Sequence, residues 1–251
     1  MINKYQLNHY ALELRSRYGE DDCSYVDVFG IINRSLDTTM VFHPMPDRIS
    51  GMCMRINKQD QLIAINSSHS YGRQRFTAAH ELYHLNFQEN FRNIICSKDL
   101  LGEKDEEERN ADDFASYFLA PMNSFKVYTD HLLKSNGKLG VEEIIRLEQY
   151  FQISRGATLV RLKKENFISG QQYDEFKSGI VRTAKELGFD DHLYRPTSEE
   201  KRYFTSGSYI KMVEDLYNKG FISKGKQKEL LLDAYRSDLV FNTDSEVLIN
   251  D

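Results

Sequence analysis

Five residues, His80-Glu81-Leu82-Tyr83-His84, restrict what this chain can fold into more than any other feature. The stretch around them has helical periodicity, and on a helix residues four apart share a face about 6 Å apart. His80 and His84 can therefore aim both imidazoles at one ion, while Glu81, one step round, reaches toward a water beside it. Hydrolytic zinc sites use three protein ligands, two histidines and a glutamate being one standard set, and keep a fourth position for water. Phe76, Ala79, His80, Tyr83, His84 and Phe87 form a helical stripe, with Ala78, Leu82 and Leu85 as a second apolar flank. The helix thus reads as internal on most sides, so the fold must be built around it.

A third ligand has to come from elsewhere, and Glu103, Asp105, Glu106, Glu107 and Glu108 crowd one downstream region. They open an amphipathic helix whose inward face is Ala111, Phe114, Ala115, Phe118 and Leu119. Periodicity leaves Glu107 and Glu108 both open as the ligand. The other acids read as a solvated first turn favoured by the helix dipole.

The run Arg73-Gln74-Arg75-Phe76-Thr77-Ala78-Ala79-His80-Glu81-Leu82-Tyr83-His84, then Glu108-Arg109-Asn110-Ala111-Asp112-Asp113-Phe114-Ala115 and Leu119-Ala120-Pro121, resembles the ImmA/IrrE family of zinc metallopeptidases. The resemblance covers roughly residues 5–170 and is specific in the two helices. It implies His80, His84 and Glu108 as Zn²⁺ ligands, Glu81 as general base, and Asp112 holding a ligating histidine by its other ring nitrogen. It also implies an α+β fold: a zincin-like core of a small β-sheet and active-site helices, followed by a mainly helical C-terminal region. Relatives are typically site-specific endopeptidases that cut a helix-turn-helix repressor and so release stress, mobile-element or phage-related genes. A metal-bound antirepressor, or a toxin–antitoxin-type binding protein that holds a regulator without cutting it, is the alternative; the intact Glu81 favours the enzyme. Two positions depart from the pattern. Asn110 replaces a frequent second acid, leaving Glu108 as the acid on the expected positions, and Tyr83 replaces a frequent glycine, which predicts a ring that narrows the cleft.

Composition fits a cytoplasmic protein. The 251 residues are 40% hydrophobic and 28% charged, as in ordinary globular folds. No apolar run approaches the ~18 residues of a membrane span, and the N-terminus lacks the apolar core of a signal peptide. Cys23, Cys53 and Cys96 are odd in number and scattered, which argues against a disulfide framework. A net charge of −5 argues against a general nucleic-acid surface.

Along the chain, helices are expected over residues 4–18 and 25–35, the second with Ser24 as N-cap, then strands over 39–42, 51–57 and 62–66, with a turn at Lys58-Gln59-Asp60. By analogy of architecture, the 62–66 strand is the candidate cleft edge onto which a peptide adds. Helices follow Pro121, and Phe151-Gln152-Ile153-Ser154-Arg155-Gly156-Ala157 matches the family's F-x-x-S-x-x-A segment, its serine suited to capping. Phe167-Ile168-Ser169 is echoed at Phe221-Ile222-Ser223 and reads as a recurring junction between helices. The division expected is 1–125 as core, 126–187 as its helical part, and 188–251 as a helical extension, with Gly188 to Pro196 as the boundary. Stripes at Tyr209, Met212, Val213, Leu216, Tyr217 and at Leu230, Leu231, Ala234 should pack on the core. His43 and His131 read as structural, as does His69, although it stands close enough to the metal helix to line the cleft. Tyr71, Tyr83 and Tyr117 are possible oxyanion donors, with burial in the core the more ordinary role.

Overall fold

A computed structural model describes residues 2–57, 60–88 and 105–241, with backbone alone for 93–97. The Lys58-Gln59 half of the expected turn and Glu103 lie outside these residues. The chain opens with α1 (Lys4–Arg17) and α2 (Val28–Arg34), then β1 (Thr38–His43), β2 (Ile49–Arg55) and β3 (Gln61–Asn66), which lead into α3 (Tyr71–Asn86). After β4 (Asn93–Ser97) come α4 (Glu106–Leu119), α5 (Met122–Asn136), α6 (Val141–Phe151), α7 (Arg155–Lys164), α8 (Gly170–Phe176) and α9 (Ile180–Glu186). The chain then forms β5 (Phe204–Gly207), α10 (Ser208–Asn218), α11 (Lys224–Asp233) and α12 (Ser237–Phe241). The fold is α+β and mostly helical.

Helix starts follow local chemistry. Asn3 caps α1 by accepting from the amides of Tyr5 and Gln6, and Ser154 caps α7 by accepting from Ala157. Asp27, not Ser24, caps α2, accepting from the Gly30 amide. Ser24 is drawn into a turn by the Asp21 carboxylate, which accepts from both its amide and its hydroxyl at 2.6 Å, and the helix therefore begins later than expected. The two Phe-Ile-Ser segments are indeed equivalent junctions. Each follows a residue of positive φ, Asn166 or Gly220, each phenylalanine amide donates back to a leucine carbonyl at 2.9 Å, and each serine caps the next helix.

The strand order is β4-β2-β3-β1-β5, with β1 and β3 parallel and the other neighbours antiparallel. This overturns the cleft-edge expectation for residues 62–66: β3 is central, with β2 on one side and β1 on the other. Its backbone groups are already paired, so no peptide can add to it. Among the described residues the sheet ends at β4 and β5.

Helix α3 lies across the sheet and is covered by α4, which in turn packs on α1. Twelve of its sixteen residues are buried, as the double apolar flank predicted. Two buried arginines tie the layers together. Arg15 donates to the carbonyls of Phe118 and Ser24, both at 2.7 Å, which joins α1 to α4. Arg75 of α3 donates to the carbonyls of Val26 (2.6 Å) and Gln152 (2.9 Å) and to the Tyr25 hydroxyl (3.3 Å).

The stretch beyond residue 188, expected as a helical extension, supplies a strand to the core sheet. It also stitches the start of α3: the Tyr71 amide donates to Arg195 O, Thr197 Oγ1 to Gln74 Oε1, and Ser67 Oγ to Arg202 O. Val213, Leu231 and Ala234 of the expected stripes are buried, and Tyr209 donates its amide to Thr39 on β1.

Candidate active site

Helix α3 carries His80 and His84 one turn apart, and α4 brings Glu108 and Asp112 against them, again one turn apart. His80 Nδ1–H donates to Asp112 Oδ1 at 3.0 Å, and His84 Nδ1–H donates to Gln88 Oε1 at 2.5 Å. With both Nδ1 positions donating, each Nε2 faces inward, where it can give its lone pair to an ion once any proton on it is displaced. The two Nε2 atoms are 3.1 Å apart, His80 Nε2 is 3.3 Å from Glu108 Oε2, and His84 Nε2 is 3.4 Å from Glu108 Oε1. Three electron-pair donors thus converge in a buried place.

That convergence asks for positive charge at its centre. Burial alone would lower the His80 pKa, but hydrogen bonds to Asp112 and Glu108 outweigh it and push the imidazole up to about 10. Glu108 is moved the other way: burial would raise its pKa, yet its bonds to both imidazoles hold it well below the usual carboxylate range. The spacing of the set suits a small tetrahedral ion. Four ligands placed tetrahedrally about 2.05 Å from zinc are about 3.3 Å from one another, and the three separations here run from 3.1 to 3.4 Å. Among the described residues, this trio is the group of acids, histidines and cysteines able to hold an ion.

Glu81, next along α3, is fully buried, and its carboxylate has no close polar partner among the described residues but the Cys53 thiol. Leaving a buried carboxylate without a donor is costly, and a neighbouring cation or proton donor offsets the cost. Strand β2 faces it closely. A Cβ built on Gly51 would stand 3.3 Å from Glu81 Oε1, and burial together with the Glu81 charge pushes the Cys53 thiol pKa up.

The structure separates Glu107 from Glu108. Glu108 joins the histidines, while Glu107 accepts the Tyr83 hydroxyl at 2.8 Å. Tyr83 is fully buried, its ring packed on Phe114 and Phe87, with its pKa raised by burial and by Glu107. It does not narrow the cleft, because position 83 lies on the α4 side of α3 rather than on the open side. His69 is also absent from the cleft wall: its Nε2 meets Asp47 at 3.1 Å and burial lowers its pKa. His43 Nδ1–H donates to Pro44 O, and His131 is exposed on α5. Of the possible oxyanion donors, Tyr71 packs against Phe29 and His192, whereas Tyr117 lines the cleft.

The cleft holds about 520 Å³ and runs from His80 and Glu108 to a wall made by α7. Arg73, which donates to Ser50 Oγ at 2.8 Å, also borders it. Sequence reasoning did not find Gln88, Gly51 or the α7 wall. Gln88 carried one usable signal, an amide one turn past His84. The capping Ser154 marked the start of α7 but not its position beside the metal helix.

No helix of the described residues is long and apolar enough to cross a membrane. No curated protein matches the chain. A family model does match it: the peptidase M78 model, described as the IrrE N-terminal-like domain, aligns with residues 36–163, just over half of the sequence. That span runs from β1 to the end of α7 and holds both helices of the His80-His84-Glu108 cluster together with the wall of its cleft. The chain belongs to the M78 family of peptidases.

Proposed function

We propose that this protein is a zinc-dependent, site-specific endopeptidase acting on a helix-turn-helix transcriptional regulator, whose cleavage derepresses stress, mobile-element or phage-related genes. The metal reading is carried by one observation, the mutual 3.1–3.4 Å spacing of His80 Nε2, His84 Nε2 and the Glu108 carboxylate. These three residues would hold the ion. Bound there, zinc supplies Lewis acidity, polarising a peptide carbonyl and making water a nucleophile near neutral pH. The remaining work falls to the chain's own groups. Asp112 and Gln88 fix the two imidazoles by their Nδ1 protons, so neither ring can turn its lone pair away. Glu81, whose oxygens have no partner but the nearby Cys53 thiol, serves as the base that takes the water proton and returns it to the leaving amine. The regulator as substrate rests on family membership alone, as does the cytoplasmic setting in which such a regulator is met.

Glu81→Gln tests the enzyme directly. It keeps the side chain's shape and leaves His80, His84 and Glu108 in place. Zinc content and regulator binding should be retained while cleavage falls about 10²–10⁴-fold, the range attributed to acid–base catalysis. A variant that still derepresses its target genes fully would instead make the protein a binder of the regulator.

A further inference from the structure

Strand β2 packs against α3, and its alternation decides what it shows to the active-site helix. Gly51 and Cys53 are buried, whereas Met52 is half-buried and Met54 exposed. Residues two apart on a strand point to the same side. At Gly51 that side faces Glu81, since a Cβ there would stand 3.3 Å from Glu81 Oε1. Having no side chain at position 51, β2 comes close enough to α3 for the Cys53 thiol to meet the same carboxylate. Both partners lack other company. Glu81 is fully buried and finds no N–H or hydroxyl donor among the described residues, a placement that calls for some donor. Cys53 is a free cysteine, 2% exposed, and stands outside the His80-His84-Glu108 cluster. Burial, with the charge of Glu81 next in weight, pushes its pKa up, so the thiol keeps its proton and remains a donor. A thiol is also a weak donor. It can hold a carboxylate in place without competing strongly for the electron pair that takes a proton from water.

We propose that Cys53 is a positioning residue for Glu81: its thiol donates to the carboxylate from the β2 side and fixes the orientation in which that carboxylate meets water beside His80, His84 and Glu108. The consequence for catalysis rests on the peptidase reading, but the contact does not. Infrared spectra of the metal-free chain read the contact without any activity. The difference between wild type and Cys53→Ala isolates one S–H stretch from those of Cys23 and Cys96. That band should move to higher wavenumber in Glu81→Gln, where a neutral acceptor replaces a charged one. Kinetics read the consequence, on a peptide that the zinc-loaded wild type cuts from a mixture of synthetic peptides of varied sequence. Cys53→Ala should lower kcat about 10–100-fold with KM and zinc content unchanged, since misplacing a reacting group by about 1 Å costs about 10²-fold. Cys53→Ser keeps a donor and should recover most of the loss, whereas Cys53→Val fills the space without one and should not. In a Glu81→Gln background Cys53→Ala should cost nothing further, because the carboxylate through which it acts is gone. A band indifferent to Glu81→Gln, zinc loss in Cys53→Ala, Val serving as well as Ser, or equal losses in both backgrounds would each overturn the assignment. If the wild type cuts no peptide while the band still answers to Glu81→Gln, the peptidase reading fails and takes the positioning role with it, leaving only the contact.

Discussion

Gly51→Ala should damage this protein far more than a single methyl group suggests. A Cβ at position 51 would sit 2.5 Å from Thr77 Cγ2 and 2.8 Å from the Ala64 carbonyl oxygen. Carbon atoms pack at about 3.5–4.0 Å, so β2 and α3 must separate by roughly 1 Å. Overpacking of this kind costs about 1–3 kcal/mol. The strain enters α3 at Thr77, one turn before Glu81 and adjacent to the His80 turn, and a displacement of about 1 Å at a reacting group can cost about 10²-fold in rate. Urea unfolding should show the midpoint falling with the slope unchanged, and peptide cleavage should fall with it. Thr77→Ser removes the clashing methyl while keeping the hydroxyl that donates to Arg73 O at 3.0 Å. Added to Gly51→Ala it should recover part of the loss, with a coupling of at least about 0.5 kcal/mol; the Ala64 oxygen prevents full recovery. A Gly51→Ala protein as stable as wild type, or strictly additive losses in the pair, would refute the close approach of β2 to α3.

Further outcomes follow from the same contacts. Arg75→Met strands the carbonyls of Val26 and Gln152 and should lose about 3–6 kcal/mol in urea unfolding, given about 1.5–3 kcal/mol for each bond to a charged group; a loss under about 1 kcal/mol would contradict the stapling role. Asp112→Asn should weaken zinc binding about 10–100-fold in a competition titration with a chelator, while Tyr83→Phe, which breaks only the bond to Glu107, should leave zinc affinity unchanged. His80 holds its proton up to about 10 in the metal-free chain. Zinc binding at pH 7 must therefore displace that proton, affinity should fall as pH is lowered, and the calorimetric heat should vary with the buffer's ionisation enthalpy; a buffer-independent heat would count against this. Truncation after residue 187 removes β5 and the bonds from Arg195, Thr197 and Arg202 to the start of α3. It should lower the unfolding temperature of the whole protein, whereas an unchanged transition would show that these contacts add nothing.

The two helices of the site were legible because their information is local. His80, Glu81 and His84 are set by spacing along one helix, and the apolar flanks of α3 announced its burial. Glu108 was not separable from Glu107 by periodicity, since both flank the same inward stripe. Only the packing of α4 on α3 sends one carboxylate to the imidazoles and the other to Tyr83. Strand order is the least local property of all. The apolar run at 62–66 gives β3 correctly, but its central position depends on β1 lying alongside and on β5 arriving some 140 residues later to cover β1. Gly51 could not be read as a close contact without knowing what faces it. Asp27 displaced Ser24 as a cap because Asp21 captured the serine first, a competition between neighbouring side chains that capping preference alone does not resolve.

The cluster of His80, His84 and Glu108 is tested most directly by counting zinc. Elemental analysis of protein purified with zinc present should find about one ion per chain in the wild type and in Glu107→Ala, and close to none in Glu108→Ala. Full zinc content in Glu108→Ala, together with loss in Glu107→Ala, would contradict the arrangement of α4 on α3 and the reading built on it.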